Sequence, residues 1–457
     1  MNLFLQSDSG PLHFVGIGGA GMSALALVAL RRGLKVTGSD SDISGTGEMT
    51  AAGAEVRAGS AVELLQRTST VIMSAAIPAE HPDLVRAREL GIPIVSRKDA
   101  LAGLIGSAAC VAIAGTHGKT TTTVMTTEAL VAAGLDPTGL AGGRVADWGG
   151  NARLGGTDLF VVEADEYDQA FLTLRPTIAV VNNVEPDHLE CYGSVEAMEA
   201  AYVTFAARAR RVLVGNDGPG ADRVAARLDR GTVWRFGPGA TDVAIDIRRQ
   251  SAAGTEAGVR FPDGVEITLE LAVPGVHNLR NATAALGVVG ALGGDRERAA
   301  AALGRFTGVG RRFERVGDAG GITVIDDYAH HPTELVATLA AARQAFPGRR
   351  LVAAFQPHLF SRTALHGDAM GAALTGADVA VVTAIYPARE APIPGITGSL
   401  VAEAATSRGV RVIYQPVRAD LAETILAVLE RGDVLVTLGA GDITRVGRDL
   451  VPILGAR

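Results

Sequence analysis

The chain has 457 residues, which is too long for one hydrophobic core, so we expect about two to four domains. Apolar residues make up 47% of the chain, a composition that suits packed helices and buried parallel strands and excludes a largely disordered protein. The net charge of −7 argues against a general binder of nucleic acid or of anionic membranes, although it leaves room for a local basic pocket.

Cysteine content and the N-terminal sequence bear on the compartment. Cys110 and Cys191 are the only cysteines, so we expect neither a disulfide framework nor a four-cysteine zinc site. The N-terminal MNLFLQSDSG lacks the basic start and long apolar core of a signal peptide. No apolar stretch reaches the roughly 20 residues that span a bilayer. Together these features predict a soluble, cytoplasmic protein without a membrane partner.

The N-terminal segment alternates short apolar runs with helical stretches. Strands are predicted at HFVGI (13–17), KVTGSD (35–40), VIMSAAI (71–77) and IPIVS (92–96), and helices at 21–33 and 85–90. Residues 97–109 are predicted to form a helix and a linker. Strands that alternate with helices indicate a parallel sheet with right-handed crossovers.

The second segment continues the alternation and then changes character. Strands are predicted at 110–114, DLFVVEAD (158–165) and PTIAVVNN (176–183), and a helix at about 120–133. Residues 232–272 are broken by glycines and alternate in polarity, which predicts a small antiparallel patch. A further helix is predicted from PGVHNLRN onward.

The third segment again shows strands separated by alanine-rich helices. The strands are predicted at ITVIDD, RLVAAF, DVAVVTAI, RVIY and DVLVTLG. We therefore predict an α/β protein of three α/β units, with junctions near residues 106 and 315.

GIGGAG at 16–21 fits G-x-G-x-x-G between a predicted strand and a helix, and Asp40 follows the next strand. This is the dinucleotide fingerprint, in which glycines let the backbone approach a pyrophosphate at a helix N-terminus. A nicotinamide cofactor, any other nucleotide diphosphate, or a tight turn without a ligand remains open. The motif alone does not choose among them.

A second glycine loop, AGTHGKTTTT at 114–123, also joins a strand to a helix, although its glycines are closer together than in G-x-x-x-x-G-K-[ST]. Of 42 basic residues only Lys35, Lys98 and Lys119 are lysines, so a lysine in this loop invites a specific reason. A compact ammonium fits beside phosphate oxygens where a planar guanidinium would not. Thr120 would offer a hydroxyl to a magnesium ion on those phosphates.

Glu163 ends one predicted apolar strand of this segment, and His188 lies just past the next one. Both are expected at the carboxyl edge of the sheet, at neighbouring strand ends beside the phosphate loop, where open α/β folds bind ligands. A carboxylate, an imidazole and the Thr120 hydroxyl are reasonable partial ligands for a divalent ion. The alternative for His188 is a helix-capping or core-edge histidine. The other carboxylates of EADEYD are expected to be mostly solvated or positioning groups.

Three later polar residues are candidates for nucleotide contacts. Asn281 is expected on the first turn of a helix, where its amide can bond adenine or simply cap the helix. Arg312 in GRRFE could reach a γ-phosphate, and Asp327 in DDYAHHP could reach a ribose. Without other support these are ordinary interdomain residues.

The whole set of motifs resembles the Mur ligases of peptidoglycan synthesis. The matching motifs occur in order along nearly the entire chain: GIGGAGM, SD at 39–40, AGTHGKTTTT, EADEYD, EPDH, PGVHNLRN, GRRFE, DDYAHHPTE, FQPHLFSR, AREAPIPGITG and GAGD.

The resemblance implies an ATP-dependent ligase that uses Mg²⁺. It implies three domains: a Rossmann-like UDP-sugar-binding domain at 1–106, a central P-loop-type mononucleotide-binding domain with a parallel sheet at 107–314, and a Rossmann-like α/β domain at 315–457 that binds the amino acid and closes over ATP. It places ATP in the central loop and a UDP-sugar, not a nicotinamide, at the N-terminal glycine loop. The implied ATP-binding residues are Gly115, Thr116, His117, Gly118, Lys119, Thr120, Thr121, Asn281, Arg312 and Asp327. The implied magnesium ligands are Thr120, Glu163 and His188.

The resemblance also implies substrate contacts. At the UDP-sugar these are Gly18, Gly19, Ala20, Gly21, Ser39, Asp40 and Ser74. The positions that match residues facing the muramoyl carboxylate and the incoming amino acid are Tyr328, His330, His358 and Arg362. Lys119, Glu163, His188, Arg312 and His330 are the predicted catalytic residues, with His330 as the base for the amine. Closure of the third domain is expected to complete the site and exclude water.

The motif details indicate the substrates but leave alternatives open. AREAPIPGITG and EPDHLECYG favour the member that adds L-alanine to UDP-N-acetylmuramate, whereas Tyr167 is familiar from the recycling ligase that adds a tripeptide to the same UDP-sugar. Leu359 stands where some relatives carry a basic residue, so Arg362 alone would serve there. Other classes still open are an NAD-dependent oxidoreductase and a regulatory nucleotide-binding module. The oligomeric state is not indicated.

Overall fold

The computed structural model of the chain describes residues 10–74, 76–388 and 390–456. The first nine residues, where no signal peptide is predicted, lie outside this range, as do Ala75 of the predicted strand 71–77 and Arg389 of AREAPIPGITG. Among the described residues, no helix has the length and apolar character needed to cross a membrane. They pack into two compact units: residues up to 246 with 259–268 and 280–303, and residues 247–258 with 269–279 and 304 onward.

A five-stranded parallel sheet forms the N-terminal part of the first unit. Its strands are β1 (Leu12–Val15), β2 (Val36–Asp40), β3 (Glu55–Ala58), β4 (Thr70–Met73) and β5 (Ile94–Ser96), in the spatial order β3-β2-β1-β4-β5. Its helices are α1 (Ala20–Arg31), α2 (Gly47–Ala51), α3 (Pro82–Glu89) and α4 (Arg97–Ile105), with a 3₁₀ helix at Val62–Arg67. The fingerprint loop therefore joins the central strand β1 to α1, as predicted.

Local chemistry explains where these helices begin. α3 starts with Pro82 at its first turn, and the His81 ring accepts a hydrogen bond from the backbone N–H of Asp83. α4 starts after Ser96, whose hydroxyl accepts from the N–H of Asp99. Both begin at the edge of the sheet where the parallel strands end.

A ten-stranded sheet follows. Its strands are β6 (Ala109–Ala114), β7 (Thr138–Val145), β8 (Gly150–Arg153), β9 (Leu159–Glu163), β10 (Ile178–Val181), β11 (Arg211–Gly215), β12 (Val233–Pro238), β13 (Val243–Ser251), β14 (Gly254–Arg260) and β15 (Glu266–Leu271). The spatial order is β15-β14-β13-β12-β11-β10-β6-β9-β7-β8. Strand β6, which leads into the lysine-bearing loop, is flanked by β9 and β10 and pairs with both in parallel.

Helices lie between and after these strands in the chain. They are α5 (Lys119–Ala132), α6 (Leu189–Tyr192), α7 (Val195–Ala206), α8 (Pro219–Ala226), α9 (Val276–Ala291) and α10 (Arg296–Leu303), with 3₁₀ turns at Ala146–Trp148 and Tyr167–Thr173. α5 begins at the lysine itself, one residue earlier than predicted.

Two predictions for this sheet are wrong. The patch at 232–272 is not wholly antiparallel, because β12 pairs in parallel with both β11 and β13. The strands that carry Glu163 and precede His188 are not neighbours, because β6 lies between β9 and β10. The antiparallel pair β7–β8, whose strands contain several glycines, was not predicted. Strands β7 and β8 follow each other closely in the chain, as do β12 and β13, whereas the position of β6 between β9 and β10 depends on contacts between distant parts of the chain.

The third sheet lies in the second unit. Its strands are β16 (Glu314–Ala319), β17 (Ile322–Asp327), β18 (Leu351–Phe355), β19 (Val379–Thr383), β20 (Arg411–Gln415) and β21 (Val434–Leu438), in the order β16-β17-β21-β18-β19-β20. All pairs are parallel except β16–β17. The helices are α11 (Pro332–Ala345), α12 (Phe360–Ala373), α13 (Ser399–Thr406), α14 (Leu421–Val428) and α15 (Ile443–Gly455), with 3₁₀ turns at Leu374–Gly376 and Arg418–Asp420.

The predicted α/β class is confirmed, with one sheet in each predicted segment. The domain boundaries at 106 and 314 stay predictions. Strands β17, β18, β19 and β21 are buried along their whole length, which matches the continuous Val, Ile, Leu and Ala runs from which they were predicted.

Candidate active site

The lysine-bearing loop joins β6 to α5 at the carboxyl edge of the second sheet. Gly115 has φ of 137°, and a Cβ there would lie 2.9 Å from the Cβ of Asn182. Gly118 has φ of 77°, and a Cβ there would lie 2.7 Å from Oδ1 of Asn281. Both positions therefore demand glycine, because the loop is pressed against the residues after β10 and against α9.

The loop ends in an array of backbone donors. The N–H groups of Gly118, Lys119, Thr120 and Thr121 have no hydrogen-bond acceptor among the described residues. They surround the N-terminus of a helix of 14 residues, where the partial charge is positive. Unpaired donors at a helix N-terminus are the arrangement that binds phosphate in other proteins. This loop is built to receive an anion.

Residues after β10 hold the loop in this shape. Asn183 accepts from the N–H groups of Thr116 and His117, at 3.3 and 2.8 Å. The Thr116 hydroxyl accepts from the N–H of Glu185 at 2.9 Å, and Nε2 of His117 lies 3.3 Å from a carboxylate oxygen of Glu185. Thr116 and His117 therefore contribute to the scaffold of the loop, whereas the amides from Gly118 onward remain open.

Lys119 folds back over its own loop. Its Nζ donates to the carbonyl oxygens of Gly115 and Thr116, at 2.7 and 3.3 Å, and to Oε1 of Glu166 at 2.8 Å. Burial acts to lower the pKa of Lys119, but the carboxylates of Glu166, Asp165 and Glu163 outweigh it and raise that pKa. Burial raises the pKa of Glu166, against the opposing effect of the Lys119 ammonium. The lysine therefore stays charged beside the amides.

Glu163, at the end of β9, accepts hydrogen bonds from the lysine-bearing loop and from β7. Its Oε2 accepts from the Thr120 hydroxyl at 2.9 Å and from the N–H of Gly142 at 2.7 Å. The structure thus brings together two of the three predicted magnesium ligands. A carboxylate and a hydroxyl are hard oxygen donors, the type that Mg²⁺ prefers.

His188, the third predicted ligand, lies in the loop after β10 with φ of 53°. Its Nδ1 lies 3.4 Å from Glu190 Oε1, its Nε2 lies 3.6 Å from Asp187 Oδ2, and its ring meets that of Tyr167 edge to face at 5.0 Å. The residue directly precedes α6 but makes no side-chain cap there. A helix-capping role is therefore not supported, and the ring instead lies beside the EADEYD segment.

A cavity of about 390 Å³ lies between the fingerprint loop and the second sheet. Its wall includes Gly19, Ala20, Gly21, Ser74, Arg97, Gly142, Asn151, Glu163 and Asp165. Several predicted UDP-sugar residues thus face one space. Arg97 is the one basic side chain among the lining residues, and its guanidinium lies 4.0 Å from the Asp165 carboxylate. The Asn151 amide donates to the carbonyl of Ala20 and so joins β8 to the fingerprint loop.

Two of the predicted UDP-sugar residues form side-chain hydrogen bonds within the N-terminal part of the first unit. Asp40 Oδ2 accepts from the N–H of Gly18 at 2.8 Å, so this carboxylate shapes the fingerprint loop. Ser39 is fully buried, and its hydroxyl donates to Asp83 at 2.6 Å, in a cluster that also includes His13. The Ser39 side chain therefore faces the interior, and the role of this residue as a substrate contact stays a prediction.

The predicted residues of the third segment form one cluster in the second unit. The Arg312 guanidinium lies 4.9 Å from the centre of the Tyr328 ring, which meets the His330 ring edge to face at 5.2 Å. His330 lies 5.9 Å from His358, ring centre to ring centre, and Arg362 donates to Nδ1 of His358 at 3.3 Å. Two residues that sequence reasoning missed, Glu334 and Tyr386, complete this cluster: the former accepts from the His330 N–H and the latter stacks on His358.

Burial shifts the pKa of two predicted site residues in the second unit. It lowers the pKa of His330 to about 3, against the nearby Glu334 carboxylate, so the ring is neutral at pH 7 and donates from Nδ1 to the Tyr328 carbonyl. Burial also raises the pKa of Asp327 to about 6. Asp327 accepts from the N–H groups of Phe313 and Ala329, at 2.7 and 2.8 Å, and so fixes the GRRFE turn.

Known proteins match the chain along most of its length. Three family models fit: the catalytic domain of the Mur ligase family at residues 11–108, the Mur ligase middle domain at 113–289, and the glutamate ligase domain of Mur ligases at 311–441. The UDP-N-acetylmuramate–L-alanine ligase of Paenarthrobacter aurescens is 45% identical over 451 residues, covering 98% of this chain and 97% of that protein. The enzyme of the same name from Salinibacter ruber is 42% identical over 449 residues, covering 97% and 94%.

Solved structures agree. The UDP-N-acetylmuramate–alanine ligase of Thermotoga maritima has a TM-score of 0.81 and 29% identity, covering 98% of this chain and 99% of that one. A murein peptide ligase of Psychrobacter arcticus has a TM-score of 0.70 and 25% identity, with the same coverage. With matching motifs, fold and full-length relatives, this chain belongs to the Mur ligase family.

Proposed function

We propose that this chain joins L-alanine to the lactoyl carboxylate of UDP-N-acetylmuramate, with conversion of ATP to ADP and phosphate, in the synthesis of peptidoglycan precursors. Relatives at 42% and 45% identity over nearly the whole chain carry this activity in their names. One observation carries the proposal: Glu163 both lines the 390 Å³ cavity and accepts from Thr120 of the lysine-bearing loop. Glu163 therefore links the anion-binding loop to the cavity.

In the proposed reaction the lactoyl carboxylate attacks the γ-phosphorus of ATP in line, ADP leaves, and an acyl phosphate forms. The neutral amine of L-alanine then attacks the acyl carbon, and phosphate leaves. Lys119 and the amides from Gly118 to Thr121 offset the negative charge on the transferring phosphoryl group and on ADP. The amine needs a base, and His330 stays the predicted one, although its low pKa makes it a weak proton acceptor in this state.

The oxygen donors near the loop fit a magnesium ion. Thr120 and Glu163 would hold it, with His188 as the predicted third ligand. The bound ion would neutralise charge on the β- and γ-phosphate oxygens. The nucleotide contacts of Asn281, Arg312 and Asp327 stay predictions, as do a cytoplasmic location and the roles of Tyr328, His358 and Arg362.

The test of the proposal is coupled release of ADP. We expect sustained ADP release, over many turnovers, only when UDP-N-acetylmuramate, L-alanine, ATP and Mg²⁺ are all present. Without L-alanine, formation of the acyl phosphate allows at most about one ADP per enzyme, because nothing consumes the intermediate. A coupled assay with each component omitted in turn measures this. ATP binding without any substrate-dependent ADP release would instead indicate a regulatory nucleotide-binding module.

A second candidate substrate is the tripeptide of the recycling ligases. Tyr167 favours it, since this residue is exposed beside His188 and is the one that the sequence shares with that class. Competition between L-alanine, glycine, L-serine and the tripeptide decides between the two, with kcat/KM as the measure. The full-length relatives are ligases by name, which argues against an NAD-dependent oxidoreductase.

Activity should not depend on bicarbonate. Several sister ligases need a carbamylated lysine beyond the histidine, whereas Lys119 is the last lysine of this chain. We therefore expect the same turnover, within about twofold, in buffers stripped of dissolved CO₂ and in buffers with added bicarbonate. A collapse of turnover on removal of CO₂ would defeat this prediction.

A further inference from the structure

Glu166 is the buried member of the EADEYD segment. Its side chain is 4% exposed, and Oε1 accepts from Lys119 Nζ at 2.8 Å. Its Oε2 has no hydrogen-bond partner among the described residues, although that atom is buried. A carboxylate oxygen in this position is costly to bury, so a role beyond packing is expected of the side chain.

The backbone of Glu166 is held from two sides. Its carbonyl accepts from the Tyr192 hydroxyl and, at 3.0 Å, from the N–H of Gln169. Asp168, two residues further on, pairs with Lys98 at 2.8 Å, and both Asp168 and Gln169 adopt positive φ angles near 50°. Asp168 and Gln169 are thereby held in a backbone conformation that side chains rarely adopt, and the Glu166 side chain lies against the lysine.

The Glu166 carboxylate accepts from one N–H donor of the Lys119 ammonium. A phosphate oxygen would otherwise use that donor. Lys119 has three N–H donors, and the protein itself accepts from all of them: at Gly115, at Thr116 and at Glu166. An incoming phosphate oxygen must displace one of these acceptors, and it then lies only a few ångströms from a second negative charge. Attraction to Lys119 is therefore partly cancelled before the nucleotide arrives.

We infer that Glu166 is a positioning residue that acts through Lys119. It orients the ammonium toward the loop and, by partly neutralising the charge of Lys119, lowers the affinity of the site for the nucleotide product. The inference rests on the proposed function and assigns this residue a part in ADP release. In an enzyme that must discharge ADP each cycle, a phosphate site with an unopposed lysine would hold the product too long.

The test compares ADP affinity by isothermal titration calorimetry of the full chain, without Mg²⁺. We expect Glu166→Gln to bind ADP about tenfold more tightly than the wild type, because glutamine keeps an acceptor for Lys119 but removes the charge. Glu166→Asp keeps the charge and should stay within about twofold of the wild type. Glu196→Gln, which makes the same substitution at an exposed position on α7, is the matched control and should not change the affinity.

Each outcome is decisive. Unchanged or weaker ADP binding by Glu166→Gln overturns the inference, since a merely structural role would loosen the site rather than tighten it. Glu166→Ala removes the same charge and is expected to tighten ADP binding as well. This variant replaces Glu166→Gln in the test if the glutamine variant does not fold. In steady state, tighter binding should lower the KM for ATP without raising kcat. A wild-type chain that does not bind ADP at all would contradict the proposed function instead.

Discussion

Replacing Lys119 by alanine is expected to lower kcat by at least about 100-fold, the scale found for single groups that stabilise transition-state charge. The ammonium donates to carbonyl oxygens of the loop itself, and it lies among amides that have no other acceptor in the part of the chain that the structure describes. The substitution removes the positive charge that faces the transferring phosphoryl group. Steady-state ADP release with saturating substrates measures the loss.

Controls separate this loss from a folding defect. Lys35→Ala alters an exposed lysine of the first sheet and should leave turnover unchanged. Lys119→Ala also leaves Glu166 buried without its cation, so the melting temperature of each variant should be recorded with its rate. A Lys119→Ala enzyme within threefold of the wild type would refute the role assigned to this lysine.

Glu163→Gln is expected to lower kcat by about 100-fold and to raise the Mg²⁺ concentration needed for half-maximal rate. The carboxylate is the strongest candidate ligand at this edge, and its Oε2 also organises Thr120 and Gly142. Glutamine preserves the size of the side chain, but it supplies a neutral amide in place of an anionic oxygen. Rates measured across a Mg²⁺ titration separate the loss of metal affinity from the loss of turnover.

Two comparisons sharpen the result. Glu163→Asp retains the charge on a shorter side chain, so it should restore part of the Mg²⁺ affinity that is lost in Glu163→Gln. Glu89→Gln, on the surface helix α3, should behave as the wild type. An unchanged Mg²⁺ requirement in Glu163→Gln would remove this residue from the metal site.

Much of the fold was predictable because buried parallel strands have a plain sequence signature. Continuous apolar runs such as RLVAAF and DVLVTLG became β18 and β21 nearly residue for residue. Helix starts were predictable where a loop glycine or a capping residue marks them, as at Lys119. These signals are local, so one sequence suffices to read them.

Strand order was not predictable in the same way. The sequence does not show that β6 lies between β9 and β10, because that arrangement depends on contacts across about 70 residues of chain. The parallel pairing of β12 with β13 was missed for a related reason: alternating polarity indicates a half-buried strand but not the direction of its neighbour.

The candidate site shows the same division. The glycine loops and Glu163 were predicted from spacing and from strand ends, and the structure brings Thr120 and Glu163 into contact. Glu166 was not singled out, since EADEYD offers several similar carboxylates. Only the fold shows that Asp165 and Asp168 are 45% and 72% exposed while Glu166 is buried against the lysine.

The position of Glu163 has a practical consequence for inhibitor chemistry. This side chain borders the cavity beneath the fingerprint loop and also bonds the first turn of α5. A single molecule that fills the cavity with a sugar-like group and presents an acidic head to the α5 amides would need only a short tether between its two halves. Such a bisubstrate compound would engage two recognition elements of the same compact unit at once.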